Sequence, residues 1–385
     1  MLEKALTGSK GYYLWVAILL ILIGMGFQFY LRQLALGLGI TGMSRDVSWG
    51  LYIGQFTYLV GVAASAVMLV LPYYLHNYKV FGKITILGEF LAVASVTMCV
   101  TFVTVDLGQP SRVFNVLLHP TPNSILFWDI MVLSGYLFLN ILIGWTVLGV
   151  EKSGAPPPKW IKPFIYLSIP WAISIHTVTA FLFAGLPGRG FWLTAIMAPR
   201  FLGSAFAAGP ALLILFCLFL RKYTKFDAGL EAVRSLAKIV TYAMIASVFF
   251  VLCELFTVFY SQIPGHMYHF DYLFSGLHGH TGLVPLWWIC VALAVLALVL
   301  LIPPNTRNNP TTLAIGCAAV FLSLWMEKGI MLVVVGFTPS PLETVTGYTP
   351  TIPEMGITLG VWALGFFILT VLYKVALSVR EQEAA

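Results

Sequence analysis

The amino-acid sequence predicts an all-α polytopic membrane protein with ten transmembrane helices. Three observations predict it. The 385 residues are 59% hydrophobic and only 9% charged, against about 25% charged in an average soluble domain. Ten separate apolar runs each approach the roughly 20 residues that a helix needs to cross a bilayer. The lysines and arginines between those runs fall unevenly on the two sides. The net charge of +6 therefore reads as the basic bias of cytoplasmic loops, and no nucleic-acid partner is expected.

The spans fall at 12–35, 50–75, 84–106, 124–149, 162–185, 203–221, 238–262, 284–302, 311–335 and 356–378. The first is long enough to act as an uncleaved anchor, and no signal-peptide pattern precedes it. The second follows SRDVSWGLYIG and carries the small-residue stripe GVAASAVML. The third closes on Asp106, and the fourth begins just after the cap Asn123/Ser124. The stiff connection GAPPPKW, 154–160, joins the fourth to the fifth. The sixth follows MAPRFLGSAFAAG and carries the stripe AAGPALLIL. Small residues let membrane helices approach closely. This weak repeat suggests two four-helix bundles, at 50–185 and 203–335, flanked by 12–35 and 356–378 within a single membrane domain, 1–385. Chance likeness between two small-residue helices is the alternative.

With the N-terminus on one side, that side holds fifteen of the 21 Lys and Arg residues and the other holds six. The positive-inside rule makes the basic side cytoplasmic. A multi-pass protein of the cell inner membrane is expected, with both termini inside. The opposite connections are longer, at roughly 36–49, 107–123, 186–202, 263–283 and 336–355. Long ordered loops usually have a job, so a partner is expected to dock there.

The five cysteines, Cys99, Cys217, Cys253, Cys290 and Cys317, all lie in apolar runs without a CxxC pair. They read as small hydrophobes, and no iron–sulfur or zinc ligand set is expected. A haem needs axial histidines at membrane depth. Only His176 qualifies, and the loop histidines in HMYHFDYLFSGLHGH have no standard metal spacing. Redox chemistry would then need a mobile redox molecule or a partner.

Charges in a bilayer are costly and usually functional. The ionisable residues at depth are Glu89, Asp106, Asp129, His176, Glu254, Glu327 and Lys328. All except Glu89 fall in the outer half, and they come from five helices. Each has a structural alternative. Lys328 can pair Glu327. Asp106 ends a helix at the wrong pole of the dipole, so it wants a cation, and Arg112 is near once the chain turns at Gly108 and Pro110. Asp129 can simply favour the start of its helix. Glu254 has no base beside it in sequence.

Four segments together, SRDVSWGLYIG, VDLGQPSRVFNVLLHPTPNS with SILFWD, HTVTAFLFAGLPGRGFWLTAIMAPRFLGSAFAAG, and GFTPSPLETVTGYTPTIPE, resemble the NrfD/PsrC family of membrane subunits, also called the polysulfide-reductase family. The resemblance covers nearly the whole chain and is greatest with the ten-helix branch. It implies an exchangeable menaquinone near the outer face and no haem or iron–sulfur cluster on this chain. It implies as partners a periplasmic ferredoxin-like iron–sulfur subunit and other membrane and cytochrome subunits of a DsrMKJOP-like complex, besides membrane lipid. Carried onto this sequence, the quinone-binding candidates are Asp129 and His176, then Asp106, Arg112 and Glu254. A proton path would use Glu89, Glu254, Glu327 and Lys328.

Two other classes compete. An ion or solute transporter would suit buried acids and a repeat, but these acids crowd one face rather than the midplane. A redox-inert anchor would have no need of buried Asp, His and Glu.

Overall fold

The computed structural model describes residues 2–383 apart from Ala64 and Ala155. These two residues, one in the GVAASAVML stripe and one in the GAPPPKW connection, lie outside the described residues. Among the described residues there are ten helices long and apolar enough to cross a membrane. They are α1 (Lys10–Leu36), α2 (Leu51–Leu75), α3 (Lys79–Asp106), α4 (Ile125–Ser153), α5 (Ile161–Ala184), α6 (Met197–Tyr223) and α7 (Leu230–Ser261), then α9 (Val284–Leu301), α10 (Pro310–Phe337) and α11 (Ile352–Glu383). Between α7 and α9 lies α8 (Pro264–Phe274), too short to span. Helices are the expected solution, because lipid offers no partner to an unpaired backbone group.

Local chemistry sets several ends. Ser9 caps α1 by accepting a hydrogen bond from the Tyr12 amide at 3.3 Å. Asn309 does the same for α10 through the Thr311 amide at 2.9 Å. Gly154 closes α4 at φ 63°, where a side chain would be strained. Two helices begin earlier than apolarity alone suggests. α6 starts at Met197 and α7 at Leu230, because Arg200, Arg234 and Lys238 interrupt the apolar run without interrupting the helix. For α6 the difference matters, since Arg200 is then inside a helix and not in a loop.

Burial orders the helices. The apolar window of α3 is 78% buried and that of α1 only 11%, so α3 is central and α1 faces lipid. α2 packs on α3, α3 on α4, and α4 on α5; α6 packs on α7 and α10, and α10 on α9. α1 packs on α11, which also lies along α3.

The closest approaches use glycine. A Cβ on Gly26 of α1 would lie 2.6 Å from the Gly360 Cα of α11. The two small-residue stripes singled out in the sequence face one another. Gly61 of α2 lies against Ala205 of α6, and a Cβ on Gly209 would lie 2.6 Å from the Val62 carbonyl oxygen. Gly54 of α2 sits directly against the Gly329 carbonyl of α10, where α10 widens into a π-helical turn over Glu327–Met331.

The loops opposite the termini fold into an ordered cap. Trp192 is fully buried and donates to the Leu332 carbonyl at 2.8 Å. Trp49, Phe183 and Phe337 surround it. His269 of α8 places Nδ1 3.0 Å from both the Val335 and Thr338 carbonyls. Glu354, at the start of α11, accepts from the Gly42 amide at 3.0 Å, the Leu51 amide at 3.3 Å and the Tyr348 hydroxyl.

Candidate functional site

Four groups of polar residues stand out against the apolar interior. The first joins α4 to α5. Asp129, in the second turn of α4, is 2% exposed and accepts a 2.6 Å hydrogen bond from Thr179 Oγ1 of α5. His176 is three residues before Thr179, hence on the same helix face. Its ring is fully buried, and neither nitrogen has a hydrogen-bond partner. Phe206 of α6 meets it edge-on with ring centres 6.5 Å apart. A buried imidazole with no partner is uncommon and asks for an explanation.

The second group lies at the outer end of α3. Asp106 keeps one buried carboxyl oxygen, Oδ1, without a partner. The pair with Arg112 does not form: Arg112 sits exposed in the Pro110–Arg112 turn, and among the described residues no ion pair joins the two. Next to Asp106, Gln33 of α1 donates to the Val105 carbonyl at 2.6 Å and accepts from Tyr52 at 2.8 Å. A cavity of about 390 Å³ opens between α1 and the Leu107–Ser111 segment, with Gln33, Tyr30 and Leu34 in its wall. Gln33 is not among the sequence candidates. It is 3% exposed, but in the sequence it follows Arg32 and a second amide, Gln28, so the pattern does not single it out.

The third group binds α6 to α10. Arg200 Nη2 meets Glu327 Oε1 at 2.7 Å. Lys328 does not pair its neighbour Glu327. It donates to the Arg200 carbonyl at 3.0 Å and lies 3.9 Å over the Phe201 ring. Adjacent residues on a helix do not face each other, so Glu327 and Lys328 turn to different partners. Glu254 of α7 lines the same small cavity as Arg200 and Glu327, and its Oε2 accepts from Thr194 at 3.0 Å.

The fourth group is at the terminal face. Glu89 of α3 is 1% exposed and neither carboxyl oxygen has a partner. The structure thus keeps Asp129 with His176, and Glu254 with Glu327 and Lys328. It leaves Arg112 apart from Asp106, and Glu89 at the far end from the rest.

These groups sit in an integral membrane protein of ten candidate spans, whose interior carboxyl and imidazole groups have few partners. The polysulphide reductase NrfD family pattern matches residues 39–339, most of the chain, and the chain belongs to that family. It is similar to a dimethyl sulfoxide reductase membrane subunit, so named by inference, of Halobacterium salinarum, with 26% identity over 92% of this chain and 89% of that one. It is also similar to the Hdr-like menaquinol oxidoreductase integral membrane subunit of Archaeoglobus fulgidus, with 22% identity over 99% and 97% of the two chains. Likeness to the menaquinone reductase integral membrane subunit of Nitratidesulfovibrio vulgaris is 22% over 96% and 92%. All three are membrane subunits of named reductases or oxidoreductases.

Proposed function

We propose that the chain is the quinone-interacting membrane subunit of a respiratory redox complex. The observation that carries this reading is the cavity of about 390 Å³ lined by Gln33 and by Leu107, the residue that follows the unpartnered Asp106 in the chain. Small-molecule sites are commonly about 300–1,000 Å³ and mostly apolar, with a few placed polar groups. A menaquinone ring fits that description. Gln33 and Asp106 would hold it, and Tyr30, Leu34 and Leu38 offer its isoprenoid tail an apolar wall. When bound, the quinone supplies two-electron, two-proton redox chemistry.

The chain's own part is to bind, orient and exchange protons. Gln33 keeps one amide N–H free after bonding Val105. Asp106 can hold or release a proton at Oδ1. Asp129, bonded to Thr179 in the interior, is not in the wall of the cavity. Asp129 and His176 form a second, sealed proton-holding pair behind the cavity. Arg112, on the exposed rim, and Glu254, in the cluster with Arg200, are outlying candidates.

In this reading, α2–α5 and α6–α10, without the short α8, form two four-helix bundles. The first holds the quinone, and the second, with Glu254, Glu327 and Lys328, joins Glu89 in proton translocation coupled to quinol oxidation or quinone reduction. The ordered cap seats a periplasmic iron–sulfur subunit that exchanges electrons with the quinone. Both termini are cytoplasmic and the membrane is the inner one. Within the family we place the chain with DsrP, the membrane subunit of a DsrMKJOP-like complex in dissimilatory sulfur metabolism. The names of the menaquinol- and menaquinone-linked relatives support the quinone part of this reading.

The test is binding of a menaquinol analogue to the purified complex, followed by fluorescence quenching. Wild type is compared with Gln33→Leu, Asp106→Asn, Asp129→Asn and His176→Ala. One site per chain, weakened most by Gln33→Leu and Asp106→Asn, is the expected outcome. Equal binding in all five proteins would remove the site from this chain.

A further inference from the structure

Glu89 is an interior carboxyl toward the opposite end of α3 from the proposed quinone site, and its surroundings are specific. Glu89 projects from α3 toward Gly144 of α4, where an added Cβ would lie 3.2 Å from Oε2 and 3.0 Å from the Phe90 ring. The glycine leaves room for the acid. Glu151 follows Gly144 by two turns on the same face of α4. Its two oxygens take a fork from Arg380 of α11, with Nε–Oε2 at 3.1 Å and Nη2–Oε1 at 2.9 Å. The same guanidinium reaches the carbonyls of Gly82, at 3.5 Å, and Lys83. Glu89 is two turns further in along that helix. The Arg380 and Glu151 side chains are 15% and 23% exposed, so the pair stands at the water boundary while Glu89 lies beneath it.

We propose that Glu89 is a proton-binding site served from the terminal face, and that the Arg380–Glu151 pair is the latch over its entrance. An ionised carboxylate without a partner in such surroundings carries a heavy desolvation penalty. A carboxyl with no donor aimed at it is stable there in its neutral form, so its charge state must follow the arrival and departure of a proton. Opening the fork between Arg380 and Glu151 admits water to Glu89; closing it isolates the carboxyl again. No bond other than O–H changes, and the proton comes from water on the terminal side.

The titratable and charged groups facing Glu89 are Tyr74 of α2, Tyr136 and Glu151 of α4, and Arg380 of α11. Tyr373 of α11 donates to the Leu87 carbonyl at 2.9 Å, just beside it. Inward from Gly144, the buried face of α4 carries Asn140, Tyr136 and then Asp129. Asn140 donates to the Tyr136 carbonyl at 2.8 Å, and Tyr136 to the Ala63 carbonyl at 3.3 Å. This polar column runs from Glu89 toward the Asp129–Thr179 bond. The inference rests on the proton-coupled part of the proposed function and deepens it.

The test is hydrogen–deuterium exchange of the Glu89 carboxyl, followed by infrared spectroscopy on the full chain in lipid. Loss of one protonated-carboxyl band in Glu89→Gln assigns the signal. Arg380→Gln and Glu151→Gln should each speed its exchange about fivefold, equivalent to about 1 kcal/mol for a partly exposed pair. Arg380→Lys, which keeps the charge, serves if either variant fails to fold, and should speed exchange by less. A wild-type spectrum without a band sensitive to Glu89→Gln would overturn the proton site. An assigned band whose exchange is the same in wild type and every folded latch variant would overturn the latch. Menaquinol-analogue binding measured on the same preparations separates these failures from failure of the quinone reading.

Discussion

Arg200 of α6 and Glu327 of α10 meet at 2.7 Å with 7% and 11% of their side chains exposed. Removing one partner of a buried ion pair strands the other charge and typically costs about 3–5 kcal/mol. Arg200→Met and Glu327→Gln should each lower the unfolding stability in detergent by about that much. The double variant Arg200→Met/Glu327→Met should lose less than either single variant. Single losses below about 1 kcal/mol would mean that water or Lys328 takes over the pairing.

Asp129 depends on Thr179 for its one side-chain hydrogen bond. Thr179→Val removes that donor and leaves a buried acceptor unsatisfied, a loss of about 1–3 kcal/mol. Thr179→Ser keeps the hydroxyl and should behave as wild type. Thermal unfolding of the three proteins decides. If valine and serine variants melt together, the bond carries no stability.

Gly54 offers no room. A methyl group there would occupy the position of the Gly329 carbonyl, which is backbone and cannot rotate away. Gly54→Ala should therefore separate α2 from α10 locally and lower the yield of folded protein. Gly149, with nothing within 4 Å of an added Cβ, is the control: Gly149→Ala should be neutral or slightly stabilising, since alanine favours a helix by about 1 kcal/mol over glycine. Equal yields of both variants would contradict the packing.

His269 gives the cap a pH dependence. Burial holds its imidazole below the ordinary value of 6.5, only partly offset by the bonds to the Thr338 and Val335 carbonyls, and the neighbouring His266 and Arg189 lower it further. A loosened cap takes up the proton more readily than the folded one. Its contribution is complete above about 6.5 and is lost as pH falls below that value. Limited proteolysis of the 263–283 segment should rise on acidification from about pH 7 to about pH 5. In His269→Gln that step should disappear, with the baseline rate at neutral pH raised.

The helices are legible in the sequence because the bilayer imposes one rule on all of them. Apolar length finds every span, and it falls furthest short where charge sits inside a helix, at Met197–Phe201 and at Leu230–Lys238. Composition counts Arg200 as a loop cation, and only the pairing with Glu327 shows why a helix buries it. The small-residue stripes of α2 and α6 are visible as patterns, while their meeting at Gly61 and Gly209 needs three dimensions. Asp129, His176 and Glu89 stand out because ionisable groups are rare at depth. Gln33 and Glu354 do not, since a neutral amide and an acid near a loop carry no such warning. The partner choices of Asp106 and Lys328 depend on side-chain direction, which spacing along the chain does not reveal.

The last helix is pinned twice. Glu354 fixes its outer end to the amides of Gly42 and Leu51, and Arg380 fixes its inner end to Glu151. About 39 Å of helix lies between those anchors at 1.5 Å per residue, close to the 40–45 Å depth of a bilayer with its headgroup layers. A helix held at both ends cannot answer a thicker or thinner membrane by tilting alone, as an unpinned one would. Hydrophobic mismatch must then be absorbed by the surrounding lipid, or it will pull on the Arg380 anchor, which makes bilayer thickness a mechanical input at the terminal face.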